Sequence, residues 1–321
     1  MRRRTVLGVL AALLTPASAL AQGGTRRIGV LMGFSENDPG AADYITALTQ
    51  GLAARGWKLG TNVEVVWRWA EGKPALFERR ADELMALKPH ALLAQGTPSV
   101  NALRPRAGTI PIVFTIVTDP VGQGMVESLA HPGGTVTGFT DFDPAMAGKW
   151  MELLSHVRPK VARVAVLFNP DTAPFAGLMV RAIEQAAPSF GIAPVPTPCR
   201  GDGAIEAALA ATDGAVALPD LFNLVHRRAI VAAAARHRAP VIYFDRSFTA
   251  AGGLMSYGVD YADQFTRAAG YLDRLLKGVP AADLPVQQPA RFDLSVNLGT
   301  AKALGLELPQ TMIAVADDVL E

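Results

Sequence analysis

Short apolar, β-branched runs alternate along this chain with segments whose apolar residues recur every three or four positions. "RRIGVLM" (26–32) has the character of a buried strand, and "AADYITALTQGLAARGW" behind it has the spacing of a helix. "NVEVVWRWA" (62–70) predicts the next strand. "PALFERRADELMALKP" opens at Pro74, whose missing N–H is harmless in a first helical turn. It then sets Leu76, Phe77, Ala81, Leu84 and Met85 at helical spacing. "HALLAQ" and "IPIVFTIV" predict two buried strands separated by "PSVNALRPRAG". The pattern pauses at "TDPVGQGMVESLAHPGGTVTGFT" (118–140), dense in Gly and Pro, and then resumes. "PAMAGKWMELLSHVRP" predicts a helix, "VARVAVLF" a strand, "FAGLMVRAIEQAAPSF" a helix. "DGAVALP" (213–219), "LFNLVHRRAIVAAAARHR" and "PVIYF" (240–244) continue the alternation. "GGLMSYGVDYADQFTRAAGYLDRLLKG" and "PARFDLSVNLGTAKALGLELP" each supply a further strand and helix. Repeated strand–helix–strand units specify an α/β fold with parallel sheets covered on both faces by helices. The two runs are of similar size, so two lobes are expected.

Two Gly-rich stretches, "HPGGTVTGF" and "AAGGLMSYG", have the composition of hinges, although tight turns account for it equally well. At 321 residues, 50% hydrophobic and 18% charged, the chain has core material for both lobes. A formal net charge of +1 removes the electrostatic reason to expect a nucleic-acid partner. The first 21 residues, "MRRRTVLGVLAALLTPASALA", combine Arg2, Arg3 and Arg4, an apolar run from Val6 to Leu14, and Ala19-Leu20-Ala21. These are the parts of a secretory signal peptide cleaved after Ala21, so export to the periplasm is expected, by either the general or the twin-arginine route. The apolar run is shorter than the roughly 20 residues that span a bilayer. Cys199 is the only cysteine, which rules out an intramolecular disulfide, a thiolate metal cluster and a two-cysteine racemase.

No dinucleotide-binding, phosphate-loop or serine-hydrolase fingerprint occurs, and His90, His131, His156, His226 and His237 lack ligand spacing. No catalytic residue, metal ligand or cofactor is predicted. The polar residues that do form a pattern stand where strands end. Phe34 and Ser35 follow the first strand, Gln95, Gly96 and Thr97 follow "HALLAQ", and Thr118-Asp119 follows "IPIVFTIV". In the second half Asn169 and Asp171, Asp220, and Asp245 hold the matching positions. Open parallel sheets bind ligands outside the carboxyl ends of their strands, where loops and helix N-termini converge. Helix capping explains each of these residues singly. The acidic ends suit either caps or an amine-bearing ligand.

The stretches "GLAARGWKLGTNVEVVWRWAEG", "IPIVFTIVTDPVGQGMVESLAHPGGTVTGFT", "KWMELLSHVRPKVARVAVLFNP", "AAGGLMSYGVDY" and "YLDRLLKGVPAADLPVQQPARFDLSVNLGTAKALGLELPQTMIAVADDVLE" closely resemble ABC transporter substrate-binding proteins of the tryptophan/tyrosine-binding-like family. The resemblance runs in order along essentially the whole mature chain. Thr135 stands where the family usually has Asn, and Gly299 where it usually has Lys. The resemblance implies a type I periplasmic-binding-protein fold: two Rossmann-like lobes with parallel sheets, and a hinge with three crossovers. By that analogy 26–139 and 254–284 form lobe one, and 140–253 and 285–321 form lobe two. It also implies a partner permease with its ATPase subunit, neither activity lying in this chain.

The expectation is a monomeric periplasmic receptor, not an enzyme, that closes on a small molecule and presents it to an importer. Phe34, Ser35, Gln95, Gly96, Thr97, Thr118 and Asp119 would form one wall, and Asn169, Asp171, Asp220, Asp245 and Tyr257 the other. If the ligand is an amino acid, one Asp pairs its ammonium, while backbone N–H groups with Ser35 or Thr97 hold its carboxylate. The rivals are a sensor for a membrane receptor, an exported enzyme using cleft aspartates, and, weakest, a transcriptional regulator on the same fold.

Overall fold

The first strand, β1 (Arg26–Met32), has five successive buried residues after its first two and so lies inside a sheet covered on both faces. The computed structural model describes residues 24–38 and 40–321. The signal-peptide reading of residues 1–21 lies outside the described residues. After β1 come α1 (Ala41–Ala53), β2 (Val63–Trp69), α2 (Pro74–Ala86), β3 (Ala91–Gln95), α3 (Gly96–Ala107), β4 (Ile112–Val117) and β5 (Val136–Thr140). The five strands pair in parallel in the order β2-β1-β3-β4-β5. The chain then crosses to a second unit: α4 (Ala145–Ser155), β6 (Arg163–Phe168), α5 (Ala176–Ala186), β7 (Ala193–Pro198), α6 (Asp202–Ala210), β8 (Gly214–Ala217), α7 (Leu221–Val225), α8 (Arg227–His237), β9 (Val241–Tyr243), α9 (Arg246–Ala250) and β10 (Met255–Val259). α10 (Tyr261–Leu276) returns to the first unit, where Tyr44 of α1 stacks on its Phe265 at 4.8 Å and Trp57 Nε1 donates to Asp273 at 2.8 Å. The tail runs through β11 (Phe292–Asn297), α11 (Leu298–Leu304), α12 (Gln310–Ala314) and β12 (Asp318–Leu320).

The second sheet has the order β12-β11-β10-β9-β8-β6-β7, parallel throughout except for the antiparallel pair β10–β11. The architecture is the type I periplasmic-binding-protein fold, with three crossings: after β5, between β10 and α10, and before β11. The expected division placed 254–284 in lobe one. In the structure the strand part of that segment, β10, pairs with β9 and β11 of the second sheet, and only α10 and the residues after it pack on the first. Its antiparallel partner lies some forty residues on, which local pattern does not show.

Close backbone approach marks both strands that lead into the first two crossings. Gly138 in β5 has φ 157°, and a Cβ there would lie 2.1 Å from the Phe114 carbonyl oxygen. A Cβ on Gly258 in β10 would lie 1.7 Å from the Phe244 carbonyl oxygen. Neither position can carry a side chain without moving its neighbour strand.

Beside Gly138 the β4–β5 ladder shifts register between Phe114 and Val117, and Ile116 sits at φ 57°, a strained conformation for a β-branched residue. Gln264 of α10 fills the broken rung. Its Oε1 accepts from the Ile116 N–H at 3.0 Å, and its Nε2 donates to the Thr140 carbonyl at 2.8 Å. One buried side chain thus replaces two missing ladder bonds and ties α10 to the sheet at the crossing. Gln264→Leu would leave both backbone groups buried and unpaired. At about 1–3 kcal/mol for each, urea unfolding should show a loss of about 2–6 kcal/mol. A loss below about 0.5 kcal/mol would mean that the rung contributes nothing beyond an ordinary surface contact.

Candidate functional site

Because strands in both sheets run parallel, their carboxyl ends and the following helix N-termini meet between the lobes. An inner cavity of about 30 Å³ lies there. From the first lobe it is lined by Tyr44, Gln95, Gly96, Thr97, Pro98 and Ile116, and Asp141 stands at the first crossing. From the second come Thr172, Phe175, Pro219, Asp220, Leu221, Leu224, Phe244 and Asp245, and Tyr261 stands at the β10–α10 crossing. A volume of about 30 Å³ holds roughly one water, whereas small-molecule sites run to about 300–1,000 Å³. The walls are therefore drawn together, with Leu221 of lobe two packed against Gly33 of lobe one.

Three carboxyl groups line this cavity, Asp141, Asp220 and Asp245, all less than 9% exposed. No Lys, Arg or His lines it. Burial pushes Asp141 up to about 6, against the opposing pull of its hydrogen bond from Thr118. Burial likewise raises Asp220 to about 6 and lifts Asp245 above the ordinary carboxylate range. Their hydrogen bonding separates them. Asp220 caps α7 and accepts from the N–H groups of Asn169 and Phe222 and from the Thr172 hydroxyl. Asp245 caps α9, accepting from the Ser247 N–H at 2.8 Å. Asp141 accepts from the Thr118 hydroxyl, at 2.6 Å. It stands in the first crossing, immediately after β5, and caps no helix.

The N-terminus of α3 is the cavity's positive counterpart. Gln95, at its N-cap position, turns its side chain away to accept from the Gly33 N–H at 2.9 Å, leaving the first turn without a side-chain cap. The Gly96 and Thr97 N–H groups and the Thr97 hydroxyl are thus set for an anionic group.

Of the residues expected in the cleft, the structure brings Gln95, Gly96, Thr97, Asp220 and Asp245 to the cavity. Thr118 lies one layer behind, holding Asp141. The others line neither this cavity nor the larger one beside it. Asp119 makes a turn, its Oδ1 accepting from the Gly122 N–H at 2.8 Å with φ at 48°. Phe34 is core, its ring 5.7 Å from Tyr44 and 5.8 Å from Trp69. Ser35 accepts from the Asn37 N–H in the turn before α1. Asn169 accepts from the Asp171 N–H, and Asp171 itself reaches out to exposed Arg200 at 2.9 Å. Tyr257 stacks on Phe292 within the antiparallel pair. Asp141, Tyr44, Ile116, Thr172, Phe175 and Tyr261 were not expected. Asp141 alone had a signal, since it ends a predicted strand just as Asp220 and Asp245 do.

Tyr44, Leu224, Phe244, Asp245 and Tyr261 also line an adjoining chamber of about 760 Å³ that opens toward α8. Two ion pairs join the lobes across it. Arg227 of α8 meets Asp38 at 2.9 Å, both side chains nearly buried, and Arg246 meets Asp43 at 3.2 Å in a more exposed setting. Cys199 is buried and lines neither cavity; burial pushes its thiol up to about 11. Among the described residues no group of three or more His, Cys, Asp or Glu could hold a metal ion, and no helix is long and apolar enough to cross a membrane.

The sequence model of a family described as ABC transporter substrate binding protein matches residues 29–320. A tyrosine-binding protein of Clostridioides difficile is 26% identical over 262 residues, which are 80% of this chain and 75% of that protein. A conserved domain protein of Vibrio cholerae is 30% identical, with a TM-score of 0.84 over 92% of this chain and 99% of its own. An ABC domain from Streptococcus pneumoniae, solved in complex with L-Trp, is 22% identical. Its TM-score is 0.85 over 92% of this chain and 100% of its own.

Raised carboxyl groups make a stability prediction with a definite sign. Between the unfolded value of about 3.9 and the folded value of about 6, native Asp141 holds a proton that the unfolded chain has lost. Its contribution therefore becomes unfavourable as pH rises through that window, and the penalty is complete above about 6. Asp141→Asn should be more stable than the parent at about pH 8, by up to roughly 2–3 kcal/mol, with the gap closing toward about pH 4. Urea unfolding at both pH values checks this. A gap that does not change with pH would contradict a buried ionisable Asp141.

Proposed function

The chain belongs to the ABC transporter substrate-binding protein family, and from that premise we propose that it is an exported periplasmic receptor for an amino acid with an aromatic side chain. The observation that carries the reading is the set of three buried carboxyl groups in a cavity lined by no basic residue. Arg227 and Arg246 act on Asp245 from the chamber side, whereas no charged group acts on Asp141, and a buried carboxylate without a counter-charge favours a cationic group. Asp141 pairs the ligand's ammonium through its free carboxylate valence, and the uncapped turn at Gly96-Thr97 holds the carboxylate. Tyr44, Phe175, Phe244 and Tyr261 supply aromatic surface for the side chain. The names of the relatives, a tyrosine-binding protein and an L-Trp complex, support the aromatic class.

The ligand enters while the lobes stand apart and is enclosed as they close about the three crossings. In this reading lobe one comprises 26–140 and 261–284, and lobe two 145–259 and 292–321, with the crossings between them. The Arg227–Asp38 and Arg246–Asp43 pairs form only when the walls meet, and so favour the closed form. That form is presented to a membrane permease with its ATPase. The chain acts by binding, with no chemical step, and the ligand leaves unchanged.

Thermal shift of the mature chain against the amino acids tests this, since a ligand that binds only the native state raises its melting temperature. L-tyrosine or L-tryptophan should raise it and be recovered intact. The deaminated analogues 3-(4-hydroxyphenyl)propionate and indole-3-propionate should bind at least about tenfold more weakly, the lost charge pair being worth more than about 1.4 kcal/mol. Deaminated analogues that bind as tightly as their parents would remove the ammonium subsite from the account.

A further inference from the structure

Tyr261 carries a polar atom that the fold itself leaves unused. It is the first residue of α10, directly behind the second crossing, and its side chain lines both the inner cavity and the chamber beside it. The residue is 4% exposed, and its phenol oxygen has no hydrogen-bond partner in the chain. A buried hydroxyl with neither donor nor acceptor is costly, by about 1–3 kcal/mol, and the great majority of such groups in folded proteins are paired. The neighbouring polar residues on the same cavity wall do not relieve it. None of Asp141, Asp220 and Asp245 makes a hydrogen bond with it. Ring packing alone does not require the hydroxyl, since a phenylalanine would fill the same space.

Resting on the reading of the cleft as an amine site, we propose that the Tyr261 hydroxyl is a specificity-determining group that accepts a hydrogen bond from the ligand's ammonium beside Asp141. The three aspartates that share its cavity make a donor-rich cation the fitting occupant, and a phenol oxygen can accept from such a donor. A primary ammonium has three N–H groups. Asp141 takes one and Tyr261 a second, so the site distinguishes a primary amine from a tertiary one by the number of donors it offers. Because Tyr261 begins the helix that Gln264 pins to the first sheet, a ligand bound to it is also coupled to the crossing.

The test compares the mature wild-type chain with Tyr261→Phe by titration calorimetry. The probes are L-tyrosine and L-tryptophan, each beside its Nα,Nα-dimethyl form. The variant loses no bond within the chain, so its unfolding midpoint, measured in parallel, should equal or exceed the parent's. Its affinity for the primary amines should fall about tenfold or more, the effect of one hydrogen bond to a charged group. The ratio of primary to dimethyl affinity should narrow by the same factor. Simple relief of crowding by the lost hydroxyl would instead leave the primary amine bound equally or more tightly, and that result overturns the proposal. Wild-type protein that already binds the dimethyl form as tightly as the primary amine overturns it without any variant. Wild-type protein that binds no amine overturns the reading of the cleft as well.

Discussion

Two parallel sheets aim their strand ends at one gap, and the chain has to cross that gap three times. Most of what distinguishes this molecule follows from the need to fit crossings and ligand groups into the same space. Gly138 and Gly258 let the crossing strands run against their neighbours, and the bulge at Ile116 is closed by Gln264 rather than by backbone. Asp141, which caps no helix, and Tyr261, whose hydroxyl has no partner in the chain, stand at the first and second crossings. Groups that would hold the ligand are therefore the same groups that move when the lobes turn. In that arrangement binding energy reaches the hinge without an intervening relay.

The energetics of closure follow from the charges. Drawn together, the walls bury three carboxyl groups around an inner cavity of about 30 Å³, and burial raises all three. Burying Asp141 with no cation beside it thus works against closure, while Arg227 and Arg246, which also act on Asp245, pair with Asp38 and Asp43 in its favour. A buried pair such as Arg227–Asp38 contributes modestly after desolvation is counted. The two tendencies oppose one another, which leaves the balance open to a cation entering beside Asp141. A receptor needs that condition, because a ligand can shift an equilibrium only by its differential affinity for the two states.

Much of the fold was legible because strands buried on both faces read as continuous apolar runs, and the helices between them keep their period. β7, "APVPTP", escaped because Pro194, Pro196 and Pro198 argue against a strand, yet it is an edge strand pairing only with β6, where missing N–H groups are tolerated. β10 was divided wrongly from its sheet because its antiparallel partner is remote in sequence. In the site, strand-end logic found Gln95, Gly96, Thr97, Asp220 and Asp245, since those residues stand directly behind a strand in an αβ unit. It could not tell Asp119 from Asp141, because both are acids close behind a strand. Only the turn geometry at Gly122 and the hydrogen bond from Thr118 separate them. Tyr44 and Tyr261 lie on helices whose placement is set by long-range packing, so no local pattern marks them.

The central claim is that the Asp141 carboxylate receives the ligand's cation. Calorimetric titration with the bound amino acid near pH 6, in buffers of differing ionisation enthalpy, counts the protons released on binding. With Asp141 raised to about 6 in the free protein, pairing with an ammonium should expel its proton. The release should approach about half a proton near pH 6, vanish by about pH 8 and be lost in Asp141→Asn. Binding with no proton release near pH 6, or a release unchanged in that variant, would contradict it.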